Sequence, residues 1–136
     1  MKRLIMISLM FACILLSPFS ASANDGQWNL VAGYSGFLSS KAWISDRTEQ
    51  FKSTGGNFKI EASSVASDNC FKVQLMEADS SNGDDEIGGV RTFCGNDYSV
   101  WDVSSAVDGG NGAELYLLYG QSSYYDDYVF FKGFDW

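Results

Sequence analysis

Residues 58–62 read Phe58-Lys59-Ile60-Glu61-Ala62. In an extended chain Phe, Ile and Ala fall on one side and Lys and Glu on the other, because successive side chains of a strand point to opposite faces. Phe71-Lys72-Val73-Gln74-Leu75 repeats the arrangement, and Ala113-Glu114-Leu115-Tyr116-Leu117 repeats it again. Alternation of period two is the mark of a strand with one buried face. Three such segments predict an antiparallel β protein rather than a helical one.

Further strand candidates lie to either side of these: Trp28–Ala32, Ala42–Ser45, Val90–Cys94, Tyr98–Val103 and Tyr128–Phe134. Turn-forming residues separate them, at Thr54-Gly55-Gly56-Asn57, Ser80-Ser81-Asn82-Gly83-Asp84, Gly95-Asn96-Asp97 and Asp108-Gly109-Gly110-Asn111-Gly112. The segment 39–51 offers a helical face through Trp43, Arg47 and Phe51, but its apolar residues are few and a single turn is expected. Strands that bury one face each need a second sheet to bury it against. The expected fold is therefore all-β: a two-sheet antiparallel β-sandwich or jelly roll of about eight strands.

The N-terminus has a different character. Lys2 and Arg3 precede an apolar run from Leu4 to Leu16, broken only by Ser8, and Ala21-Ser22-Ala23 gives a small-x-small cleavage site. Residues 1–23 read as a secretory signal peptide, too short to remain as a membrane anchor. Residues 24–136 then form one domain, expected in the periplasm or outside the cell, with no integral membrane span after cleavage. Cys13 leaves with the signal. Cys70 and Cys94 remain, and in an exported protein they most simply form a disulfide; the alternative is two separate buried thiols. A loop of about 25 residues closed in this way stabilises by about 3 kcal/mol in the chain-entropy model.

Residues 24–136 keep all 17 acidic residues and seven of the nine basic ones, a net charge of −10 (7 − 17). Such a surface repels nucleic acid and anionic lipid, and it attracts a basic partner. The chain has no histidine, so it lacks the usual general base and the commonest metal ligand. Its serines have no imidazole to activate them. Paired carboxylates could hydrolyse glycosides, but no motif singles out a pair. Binding rather than catalysis is the expected activity, with a small secreted hydrolase using carboxylates as a remote alternative.

Aromatic residues are the likeliest contact groups by chemistry, and Tyr124-Tyr125-Asp126-Asp127-Tyr128 sets rings beside carboxylates in an expected loop. Sugars stack on exposed rings while carboxylates accept from their hydroxyls; tyrosine is equally at home in protein interfaces. The rings could instead close one end of the sandwich. Tyr124, Tyr125, Asp126 and Asp127, with Trp101, are the candidate binding residues. Tyr128, Phe130, Phe134 and Trp136 recur at every second position near the C-terminus. This pattern suits an inner strand of a soluble sandwich better than a membrane barrel, whose strands would need more chain and no Lys132 on the lipid side.

Glu77, Asp79, Asp84, Asp85 and Glu86 form an acidic cluster inside the expected disulfide loop. Asp79, Asp84, Asp85 and Glu86 are candidate calcium ligands, although Gly83 stands one place too early after Asp79 for an EF-hand. A solvated hairpin tip is the plainer reading, and no other cofactor is expected.

Gly109-Gly110-Asn111-Gly112-Ala113-Glu114-Leu115-Tyr116-Leu117-Leu118-Tyr119-Gly120, followed by Ser122, Ser123 and Tyr124, resembles the Gly-rich strand of bacterial pre-peptidase C-terminal domains. Glu114 stands where that family usually has Asp. The resemblance implies a secreted β-sandwich. Taken together, the expectation is a small exported acidic binding protein, an inhibitor or immunity-type protein for a basic exported protein. A carbohydrate- or surface-binding module is the alternative.

Overall fold

Alternation governs the fold. In a computed structural model, which describes residues 26–44, 46–80, 83–107, 112–122 and 126–136, each of the three founding segments turns its apolar set inward. Phe58, Ile60, Ala62, Phe71, Val73, Leu75, Ala113, Leu115 and Leu117 are all buried. The predicted signal peptide, residues 1–23, lies outside the described residues.

The described residues form nine strands: β1 (Asn29–Leu38), β2 (Asp46–Arg47), β3 (Phe51–Ser53), β4 (Asn57–Ser64), β5 (Cys70–Glu77), β6 (Asp85–Cys94), β7 (Asn96–Asp102), β8 (Ala113–Gly120) and β9 (Asp127–Asp135). One turn of 3-10 helix spans Ser104–Ala106. Four strands make one sheet in the order β1-β9-β4-β7. The other runs β2-β8-β5-β6, with β3 also paired to β8. All pairings are antiparallel.

β2 and β3 behave as one interrupted strand along β8. Between them the Thr48 N–H donates to the Leu117 carbonyl, and the Leu117 N–H donates to Thr48 Oγ1, each at 3.0 Å. A side-chain hydroxyl thus stands in for the missing backbone acceptor. Counted as one, β2 and β3 leave eight strand positions wound between two sheets, a jelly roll as expected. Among its described residues the segment 39–51 contains no helix; short strands β2 and β3 take its place. The candidate strand at 42–45 is likewise replaced by β2, which starts at Asp46.

Aromatic side chains fill the space between the sheets. Phe93 stacks on Phe71 and on Trp101, with ring centres 6.0 and 6.3 Å apart. Phe131 meets Phe71 edge-on and tilts against Tyr119. Phe51 packs edge-on against Phe58 and Tyr34. Gly133 leaves room for this group on the inner face of β9: a Cβ there would lie 2.5 Å from Phe51 and 2.8 Å from Phe58. Cys70 and Cys94 face each other across β5 and β6, with Cα atoms 4.1 Å apart, and form the expected disulfide.

β9 corrects one expectation. It lies between β1 and β4, an inner strand of its sheet, but Val129, Phe131 and Gly133 point into the core. Tyr128, Phe130 and Lys132 point out, leaving Tyr128 59% and Phe130 53% exposed. Both faces of β9 are apolar, so alternation alone could not say which was inner. No helix of the described residues is long and apolar enough to cross a membrane.

Candidate functional site

The two sheets present very different outer faces. On the β2-β8-β5-β6 sheet, alternation and register bring polar groups together. Lys52 pairs with Glu114 at 3.1 Å, and the Tyr116 hydroxyl donates to Asp84 at 2.6 Å beneath the Arg47 guanidinium. Burial, then the hydrogen bond and charge of Asp84, push the Tyr116 phenol up to about 12; Arg47 opposes this. Such a face is satisfied by water and by its own neighbours.

The β1-β9-β4-β7 sheet presents rings. Phe37 stands opposite Tyr128, and their rings meet edge-on at 5.5 Å. One rung along, Phe130 is flanked by Ser35 on β1 and Ser63 on β4, both too short to cover it. Next, Lys132 stands opposite Glu61, and Glu61 opposite Tyr98 on β7. Leu30, Phe134 and Lys59 form the following rung. Tyr98 is 66% and Leu30 61% exposed, and Val65, just beyond β4, is exposed beside Tyr128. The Lys59 ammonium donates to Glu61 at 2.7 Å and lies over the rings of Phe134 and Trp28. Trp28 in turn meets Trp136 edge-on at 5.0 Å. The attractions of Lys59 are therefore spent within the face, which carries exposed rings on either side of a polar seam of Lys132, Glu61 and Lys59. Exposed apolar surface grouped on one face marks interaction sites; scattered apolar residues do not.

The residues singled out in the sequence lie elsewhere. Tyr124 and Tyr125 fall outside the described residues. Asp126 is exposed, and its carboxylate accepts from the Ser40 N–H at 2.8 Å and the Ser40 hydroxyl at 3.1 Å. Those bonds hold its carboxyl below the usual Asp range. Asp127 is buried and accepts from the Ala66 N–H, Asn69 Nδ2 and its neighbour's Tyr128 N–H. Both carboxylates clamp loops to the end of the sandwich. Trp101 is a correction: it is 1% exposed, stacked between Phe93 and the Arg91 guanidinium, and has no ring face to offer a partner. Arg91 is held there by donating to Ser99 Oγ and the Val100 carbonyl, and burial lowers its pKa.

The acidic cluster is dispersed. Asp84 accepts from the Tyr116 hydroxyl and from the Asp79 N–H at 3.2 Å. Asp85 and Glu86 are successive residues of β6, so they point to opposite faces, in register with Glu77 and Met76. Among the described residues, no three acidic or cysteine side chains are grouped so as to hold a metal ion.

The aromatic face was missed because its rings come from three strands, β1, β7 and β9. The sequence did carry one signal. On β9 Phe130 and Phe131 are adjacent, so one of them has to face outward.

Comparison with known proteins gives a family match and a similarity to a solved structure. The crystal structure of Yersinia pseudotuberculosis-derived mitogen superposes with a TM-score of 0.47 and 13% identity, over 79% of this chain and 86% of that chain. No curated protein matches the sequence. The family described as the YndA coiled coil domain matches residues 31–131, from β1 to β9. That span contains no α-helix among its described residues, so the coiled coil of the family's description is not what this chain forms. The chain belongs to the YndA coiled coil domain family, as a member built from β-strands.

Proposed function

We propose that this chain is an exported binding protein that holds a basic protein partner on the outer face of its β1-β9-β4-β7 sheet. The observation that carries this reading is the run of exposed Phe37, Tyr98, Tyr128 and Phe130 across one sheet, set against the polar outer face of the other. Aromatic side chains are enriched at protein interfaces and supply most of the energy there. Four strands about 4.8 Å apart and about 30 Å long give a face of roughly 550 Å². With its rim, that approaches the roughly 800 Å² a standard interface buries on each partner.

Charge selects the kind of partner. A net −10 over residues 24–136 speeds encounter with a basic protein and opposes docking of a second copy. An inhibitor or immunity-type role toward a basic exported protein is the concrete form of this function. One observation favours a second reading, a glycan: a shallow groove along Glu61, Ser63, Asn96 and Asp97 sets hydroxyl-binding groups beside the exposed Tyr98 ring.

The test is capture from the exported fraction of the source cells by the immobilised protein, followed by identification of what is bound. We expect a basic protein. Replacing Phe130 and Tyr98 together by Ser should weaken its binding by about 2 kcal/mol or more. Because both are exposed, the same change should cost at most about 1 kcal/mol of fold stability, read by circular dichroism. Undiminished capture by the double variant would overturn the assignment.

A further inference from the structure

At the disulfide end of the β2-β8-β5-β6 sheet lies an open cleft of about 400 Å³, separate from the aromatic face. Ser40, Lys72, Thr92, Gln121 and Ser122 line it, with the Cys70 end of the disulfide and Phe71 at its floor. Its size is in the range of small-molecule sites. Among its described lining residues, Lys72 alone carries a charge, in a chain where acidic residues outnumber basic ones. The Lys72 ammonium lies 5.3 Å from the centre of the Trp43 ring, which is 40% exposed and reaches the cleft through this contact. The exposed Asp126 carboxylate adjoins the lining at Ser40, whose N–H and hydroxyl both donate to it.

Backbone geometry holds the wall in place. Gln121 has φ +52°, the one positive φ at a non-glycine residue among the described residues. A left-handed backbone at a residue with a long side chain is uncommon, and such positions concentrate at functional sites. Here it is fixed on both sides. The Gln121 N–H donates to the Ala42 carbonyl at 2.8 Å, and the Ser122 hydroxyl donates to the buried Asn69 at 2.7 Å. This turn sets Gln121 on the cleft wall, in the same cleft as Lys72 and Thr92.

We infer that this cleft binds a small hydroxylated carboxylate, sugar acids among them. Lys72 receives the carboxylate, Thr92 and the Gln121 amide hydrogen-bond the hydroxyls, and a ring, where the ligand has one, lies along Trp43. A charge-assisted contact supplies the selectivity for the anion over a neutral isostere. This site does not depend on the partner bound by the aromatic face.

Titration of the isotope-labelled mature protein with sodium glucuronate, glucose and sodium lactate, followed by NMR, tests the inference. Saturable shifts at the Trp43 indole, Thr92 and the Gln121 side-chain amide are expected with glucuronate and not with glucose. Lactate acting alike would identify a hydroxy acid as sufficient; glucuronate alone would identify a sugar acid. Lys72→Gln should weaken binding about ten-fold or more, while Lys72→Arg should retain it, because the cation is kept. Absence of saturable shifts with both carboxylates, or equal binding by Lys72→Gln, would overturn the site. Shifts confined to Tyr98 and Phe130 would also overturn it, and would speak instead for glycan binding on the aromatic face.

Discussion

Tyr119 shows how a single side chain ties the two sheets together. It projects inward from β8, tilts against Phe131 of β9, and is 2% exposed. Gly36 of β1 lies beneath its hydroxyl, and any side chain there would collide with it. Burial, and then the charge of Asp46, push its phenol up to about 12; Tyr116 is raised to about the same value, with burial again the largest cause. A phenol raised above its ordinary 10.0 favours the fold in its neutral form. That contribution is complete below pH 10.0 and is lost as the pH rises toward 12. Phenolate absorbance in an alkaline titration should therefore show a late component that coincides with loss of folded structure. Tyr119→Phe should move the alkaline transition to higher pH. A single tyrosine transition near 10, with the fold intact beyond it, would contradict the packing described. Other residues at this level were illegible from sequence. Asp126 and Asp127 find their partners at Ser40, Ala66 and Asn69, between 58 and 86 positions away, so nothing local distinguished a loop clamp from a binding carboxylate.

Single strands were read best where one face was polar. β4 and β5 alternate cleanly, and on β8 the inward set Ala113, Leu115 and Leu117 came directly from the spacing although Tyr116 on its other side is buried too. β1 was read only from Trp28 to Ala32, because alternation fades at Gly33; pairing with β9 carries it on to Leu38. β9 itself has apolar residues on both faces, and its orientation is set by Phe51 and Phe58 packing against Gly133, which is information from other strands. The β5–β6 pair was legible through chemistry rather than pattern, since Cys70 and Cys94 were the two cysteines expected to survive export. Their disulfide joins the rungs at the far end of the hairpin from its turn, so it closes nearly the whole loop. Cys70→Ser with Cys94→Ser should lower stability in urea by about 2–4 kcal/mol, with little change in the secondary structure seen by circular dichroism. A loss under about 0.5 kcal/mol would mean that the unfolded chain is already constrained there.

The whole molecule is a sandwich in which one outer side carries mixed polar and aliphatic residues and the other carries the exposed rings of Phe37, Tyr98, Tyr128 and Phe130. Its class was written in the alternation of three short segments, and its acidity in the composition. The exposed ring face was not, because Phe37, Tyr98, Tyr128 and Phe130 come to one side of the molecule only when β1, β7 and β9 take their places in one sheet. In the proposed function, long-range charge and short-range rings divide the work: the acidic surface is proposed to draw a basic protein in, and the exposed rings to hold it. A photoreactive phenylalanine analogue placed at 130 or 98, and at Gln74 on the opposite outer face or Asp84 in the acidic hairpin, separates this arrangement from its rivals. Irradiation in the exported fraction should give one adduct with a basic protein from positions 130 and 98 and none from 74. Adducts from 84 or 74, with none from 130 and 98, would contradict it and move recognition to the acidic side of the molecule.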